Sequence, residues 1–147
     1  LTDHQRDGDG MVQSMGRALA DAGRATDAVD YVNAHGTSTK MNDAAETNAL
    51  KRLMGDAART TAISSTKSMA GHPIHAAGAV ESVVCVQTLR HQTIHPTANY
   101  ETQDPPCDLD YVPGVARDAR VDAVLNNSFG FGGQNTSLVF KRFGLDL

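Results

Sequence analysis

The stretch Val29-Asp30-Tyr31-Val32-Asn33-Ala34-His35-Gly36-Thr37-Ser38-Thr39 changes character once, at His35. Up to Ala34 it is short, apolar and rich in β-formers, which reads as a buried strand. From His35 to Met41 it is a polar loop. A helix is expected over 43–54, with Asn42 as its cap. Asp43 and Glu46 fall in its first turn, where the helix dipole favours carboxylates. Gly55 ends it. Strand, loop and helix in this order are the repeating unit of a layered α/β fold.

The flanks repeat that unit. Met11, Met15, Leu19 and Ala22 recur at three- and four-residue steps, predicting a helix over 11–22 that Gly23 stops. Residues 61–64 read as a second short strand, followed by a loop over 65–75. Residues 76–90 are apolar nearly all round: Ala76, Ala77, Gly78, Ala79, Val80, Val83, Val84, Cys85 and Val86 leave almost no polar face. Such a helix is expected to be buried in a middle layer. Residues 91–113, rich in Pro, Asp, Thr and Asn, read as irregular. Two strands close the chain at 121–126 and 136–140, near enough in sequence to run antiparallel. Their joint, 128–134, holds Gly130, Gly132 and Gly133. The expected fold is α/β, a mixed sheet with helices on both faces.

Composition narrows the function classes. With 147 residues, 40% of them hydrophobic, the chain fits one globular domain. A net charge of −4 argues against nucleic acid or an anionic membrane as partner. The longest apolar stretch is interrupted by Glu81 and Ser82 and falls well short of a membrane span. Two cysteines make no disulfide framework, so a cytoplasmic location is expected. Leu1 stands in place of a start methionine, and Asp3, Arg6, Asp7 and Asp9 alternate with Gly8 and Gly10. That reads as a loop entered mid-protein, and hence as a piece of a longer chain.

Three loops at strand ends gather the reactive residue types, and in layered α/β folds such loops line the active crevice. The first is His35-Gly36-Thr37-Ser38-Thr39. The second is Ser65-Thr66-Lys67-Ser68-Met69-Ala70-Gly71-His72. The third is Asn127-Ser128-Phe129-Gly130-Phe131-Gly132-Gly133. In a strand joint Phe129 and Phe131 would put both rings on one side. The glycines lack the Lys-Ser/Thr and the spacing of a phosphate-binding loop. His72/His75 and His91/His95 are spaced like metal ligands, but no glutamate completes a His-Glu-x-x-His helix and Pro73 spoils the first pair, so no metal is expected. Cys85, inside the apolar helix, reads as inert core. Cys107 has no basic neighbour to activate it.

Together, in this order and spacing, the three loops resemble the β-ketoacyl-acyl-carrier-protein synthases, the condensing enzymes of the thiolase-like fold. Residues 32–39 resemble that family's first histidine motif. Residues 65–72 resemble its lysine and second histidine motif, and 127–133 its Gly-Phe-Gly-Gly gate loop. The likeness is to the C-terminal half of the elongating type and covers nearly all of residues 1–147. It implies decarboxylative Claisen condensation of an acyl thioester with malonyl-acyl carrier protein, in fatty-acid or polyketide elongation. His35 and His72 resemble the pair that hydrogen-bonds the malonyl thioester oxygen, where negative charge develops. Lys67 resembles the lysine that holds the second histidine's surroundings. Phe131 resembles an oxyanion donor through its backbone and a gate through its ring, with Phe129 beside it. Thr37 and Thr39 resemble the hydroxyls that bind the pantetheine arm. Asn33, Glu81 and Asn135 resemble a structural cation or hydrogen-bond cluster of some members.

The resemblance further implies that the nucleophilic cysteine lies in an N-terminal half outside this chain, through which a homodimer would form. These residues alone are then expected to be inactive. The substrate brings its own phosphopantetheine, so no cofactor is expected. Lys40, Ala70, Pro73-Ile74-His75 and Gln134 depart from the family pattern without removing a reactive group. A non-catalytic ketosynthase-like subunit, such as a chain-length factor, is the alternative. Its weakness is that it has no need of the full His-Lys-His set.

Overall fold

The computed structural model describes residues 8–144; the acidic stretch before Gly8 lies outside them. Helix α1 (Asp9–Asp21) leads to strand β1 (Tyr31–Asn33), helix α2 (Lys40–Met54) and strand β2 (Ala62–Ser64). A short helix α3 (Lys67–Ala70) and the long α4 (Ala77–His91) follow. Strands β3 (Thr93–Ile94), β4 (Arg117–Asp118), β5 (Ala123–Phe129) and β6 (Asn135–Lys141) complete the order.

The main sheet runs β2-β1-β5-β6. Strand β1 pairs in parallel with β2 and with β5, which makes it a central strand and accounts for its unbroken burial. Strands β5 and β6 form an antiparallel hairpin with Phe129 opposite Asn135. The small β3–β4 ribbon lies apart from this sheet.

Side-chain alternation splits the core in two. Val32, Ile63 and Leu125 face α1 and α2, packing with Met11, Met15, Leu19 and Leu50. Their neighbours Tyr31, Ala62 and Val124 point the other way, onto Cys85 and Leu89 of α4. The mixed sheet covered on both faces is therefore the arrangement the sequence predicts.

Four expectations change. Helix α2 starts at Lys40, so its cap is Thr39, whose hydroxyl accepts from the Asn42 N–H. The expected loop 65–75 contains α3, and residues 91–113 contain β3. Helix α4 is not buried all round. Ala77, Glu81, Cys85, Thr88 and Leu89 face inward, while Val80, Val83 and Val86 are open to solvent, Val83 to 60%. An apolar circumference gives no phase, so it did not reveal which side the sheet would take. Among the described residues no helix is long and apolar enough to cross a membrane.

Candidate active site

The first loop is shaped from below by Glu46 of α2. One carboxylate oxygen accepts the His35 N–H at 2.9 Å and the Asn127 side-chain amide at 3.1 Å, and the other accepts the Gly36 N–H at 3.0 Å. Burial pushes this carboxyl up, and the three N–H donors oppose the push. The sequence placed Glu46 in a first helical turn for its charge alone. Its real partners are the loop just before the helix and Asn127, 81 residues away, and a first-turn position signals neither.

The first and second loops touch. Gly36 has φ of +40°, and a Cβ there would meet the Ser65 Cβ at 2.6 Å, so only glycine fits. The Ser65 hydroxyl donates to the Gly36 carbonyl at 2.8 Å. One residue on, the Thr66 hydroxyl donates to the Asn33 side-chain carbonyl at 2.8 Å. Lys67 then turns inward. It is 8% exposed and forms an ion pair with Glu81 of α4, itself 1% exposed. Burial raises the Glu81 carboxyl and the Lys67 ammonium pulls it back.

At the end of this loop the Ile74 N–H donates to His72 Nδ1 at 3.2 Å, so a neutral His72 carries its proton on Nε2. Its pKa is lowered by burial and by the nearby Lys67 charge. The rings of His35 and His72 meet edge to face with centroids 5.7 Å apart, although the residues come from different strand ends. Phe129 backs His35 at 5.9 Å. A cavity of about 1000 Å³ opens over this pair, lined also by Phe131, Thr37 and His75. A neighbouring cavity of about 890 Å³ reaches Lys67 and Tyr100, and His72, Thr37 and Thr39 border both. His35, His72 and Phe131 therefore share one cleft, while Lys67 lines the neighbouring cavity that His72 also borders.

Other expected placements change. The strand ends at Phe129, so alternation stops there: Phe129 is core, while Phe131 sits in a 3₁₀ turn at 74% exposure. Both residues still line the same cavity. Thr37 and Thr39 hydroxyls lie 3.0 Å apart at the mouth, and Thr39 also caps α2. Asn33, Glu81 and Asn135 form no single cluster. Asn33 bonds Thr66 and Asn126, Glu81 pairs with Lys67, and Asn135 starts β6 opposite Phe129. The described residues contain no group of three His, Cys, Asp or Glu arranged to hold a metal ion. Both cysteines are buried, and burial pushes the Cys85 thiol up to about 12 and Cys107 upward as well, which suits neither as a nucleophile.

Paired imidazoles over a cleft, with a buried lysine behind and a glycine-flanked phenylalanine in front, sit on the layered architecture of the thiolase-like ketosynthases. The family description "Beta-ketoacyl synthase, C-terminal domain" matches residues 2–101, and the chain belongs to that family. It is 48% identical over 137 residues to a 3-oxoacyl-[acyl-carrier-protein] synthase 2 from Synechocystis sp., covering 93% of this chain and 33% of that protein. Nodulation protein E of Rhizobium meliloti is 48% identical over 133 residues, covering 90% of this chain and 33% of its own. A solved type II PKS ketosynthase, in complex with its acyl-carrier protein and bound to the hexaketide, superposes with a TM-score of 0.94 at 41% identity. That match covers 99% of this chain and 35% of the other. The chain spans about a third of the length of the curated relatives it matches, less than the half that its motifs implied.

Proposed function

We propose that this chain supplies the decarboxylating side of a ketosynthase that condenses an acyl thioester with a malonyl thioester on an acyl carrier protein, in fatty-acid or polyketide elongation. The observation that carries the reading is the His35–His72 pair at one cleft with Lys67 buried behind it. In the proposed step the malonyl carbon–carboxylate bond breaks and carbon dioxide leaves. The electron pair becomes an enolate whose charge rests on the thioester oxygen. Imidazole N–H donors aimed at that oxygen stabilise the charge as it forms. The enolate carbon then attacks the acyl thioester carbonyl, and the thiolate that held the acyl group leaves. Phe131 offers a backbone N–H for that second carbonyl and, at the cleft mouth, a ring that gates it. Thr37 and Thr39 stand where a pantetheine arm would pass.

The reading needs no cofactor beyond the phosphopantetheine that the substrate carries. A homodimer and a cytoplasmic location go with it. Neither cysteine present here suits the role of acyl carrier, so the isolated 147 residues are expected to form no β-ketoacyl product. The alternative, a non-catalytic partner subunit, draws on solved neighbours that include a chain length factor. Retention of His35, Lys67 and His72 favours the enzyme. The test is His72→Ala in the protein as its source expresses it. Malonyl-thioester decarboxylation should fall by about 10²-fold or more, the scale of a lost charge-stabilising donor, while acyl loading persists. Decarboxylation near its original rate overturns the paired-donor reading.

A further inference from the structure

Below the Lys67 loop lies a buried polar cluster that the proposed reaction does not use, and His95 stands at its centre. His95 Nδ1 is 3.0 Å from the Pro96 carbonyl oxygen. A carbonyl only accepts, so this nitrogen carries the proton. In the neutral ring Nε2 is then an acceptor. Burial lowers the His95 pKa, which favours the neutral ring. Two hydroxyls reach Nε2 at 3.0 Å, the Tyr31 phenol and Thr66, while the Ser64 hydroxyl is farther at 3.5 Å.

The Tyr31 and Thr66 hydroxyls share two acceptors, Nε2 and Asn33 Oδ1, each within reach of both. Thr66 donates to Asn33 Oδ1 at 2.8 Å. The Tyr31 phenol has Nε2 at 3.0 Å and Asn33 Oδ1 at 3.3 Å, so the ring is its nearer acceptor. Ser64 Oγ, at 2.9 Å, can then donate into the phenol oxygen. Asn33 Nδ2 donates onward to Asn126 Oδ1 at 2.7 Å. Every proton has an acceptor, and Nε2 is where the hydroxyl chain ends. The cluster ties β1, β2 and β5 to Thr66, whose next residue is Lys67.

Without Nε2, the fully buried Tyr31 phenol must redirect its proton to Asn33 Oδ1 at 3.3 Å or to Ser64 Oγ at 2.9 Å, and Thr66 is left with Asn33 Oδ1 as its one acceptor. The Asn33 carbonyl has two lone pairs, so it can hold both hydroxyls only if the longer 3.3 Å contact moves in beside Thr66. If Thr66 yields, the peptide that delivers Lys67 to Glu81 loses its anchor.

We propose that His95 is a positioning residue, clamped as the Nδ1–H tautomer by the Pro96 carbonyl, whose Nε2 completes the hydroxyl cluster that fixes Thr66 and so aims Lys67 at Glu81 and His72. Its catalytic consequence rests on the function proposed above; its geometry does not.

The test compares His95→Phe and His95→Gln with the wild type, in the protein as its source expresses it. Nitrogen NMR of the imidazoles should show wild-type His95 protonated on Nδ1. In His95→Phe the His72 titration should move up, toward the ordinary imidazole value, as Lys67 loosens. In His95→Gln it should return, because an amide oxygen accepts where Nε2 did. Malonyl-thioester decarboxylation should follow: a kcat about tenfold lower in His95→Phe with KM within about twofold, and recovery to within about threefold in His95→Gln, tenfold being about 1.4 kcal/mol of barrier. An Nε2–H tautomer overturns the clamp. An unmoved His72 titration in His95→Phe, or loading and decarboxylation falling together without glutamine rescue, overturns the positioning role. If the wild type decarboxylates no malonyl thioester, the functional reading falls, while the tautomer and the His72 titration still decide the role of His95.

Discussion

Helices α1 and α4 cover opposite faces of the same sheet and are built in opposite ways. Helix α1 turns Met11, Met15 and Leu19 onto the sheet and keeps its polar residues in water. Helix α4 buries Glu81 and Thr88 beside Cys85 and Leu89, and leaves Val80, Val83 and Val86 outside. Hydrophobic burial sets the rotation of α1. In α4 both faces are apolar enough to be buried, so the Lys67–Glu81 pair has to choose. A buried ammonium must have its carboxylate, and Glu81 can meet it only if its own side of α4 faces the sheet. One helix serves stability, and the other is turned by the site.

That contrast is broken most directly at Glu81. Glu81→Leu leaves a charged Lys67 buried without its partner and should cost about 3–5 kcal/mol in urea-induced unfolding. The double variant Glu81→Leu/Lys67→Met should recover much of that loss, because two apolar groups replace a desolvated pair. If the single variant unfolds like the wild type, the pair does not set the rotation of α4. On the other face, Met15→Ala empties a fully buried site and should cost about 2–4 kcal/mol by the same measurement. Here no second substitution elsewhere in the chain should rescue it, since the main loss is packing; the Asn127 amide that donates to the Met15 sulfur keeps Glu46 as an acceptor.

The same difference decides what was legible in the sequence. Helix α1, the strands of the main sheet and the closing hairpin follow from local periodicity, and the reactive loops from histidine, lysine and glycine at strand ends. Glu46 and His95 were not legible as structural anchors. Their partners, such as Asn127 for Glu46 and Tyr31 for His95, are distant in sequence and share no spacing rule with them. The rotation of α4 was hidden because an all-apolar helix has no phase. Asn42 and Thr39 are both residue types that cap well, and only the loop geometry, which makes Thr39 the cap of α2, separates them. Strand alternation pairs Phe131 with Phe129, but it stops where the strand does, at Phe129.

A smaller effect distinguishes the faces by pH. His95 packs on the α4 side, among Tyr31, Ser64 and Thr66, with a pKa below the ordinary 6.5. The unfolded chain therefore takes up this proton first as pH falls. The stability contributed by the neutral ring is complete above pH 6.5 and is lost as pH drops through that value toward the lower folded pKa. Denaturation midpoints should decline as pH falls below about 6.5, the ordinary imidazole value, and should be level above it. His95→Gln should flatten the decline. An equal slope in the variant would show that the pH dependence arises elsewhere.

The smallest effect is expected at Val83, and it tests the comparison from the solvent side. Val83 belongs to the apolar stripe of α4 but is 60% exposed. Replacing it with serine removes little buried area, and serine and valine have similar helix propensities. The unfolding free energy of this 147-residue chain should therefore change by no more than about 0.5 kcal/mol, the range of ordinary surface substitutions. The corresponding change on α1, Met15→Ser, would place an unpaired hydroxyl in the core and should exceed that several-fold. If Val83→Ser instead costs more than about 1 kcal/mol, a value typical of groups removed from water, then Val83 is packed. The outward face of α4 would then be covered in solution, and the rotation assigned to the Lys67–Glu81 pair would lose its solvent side.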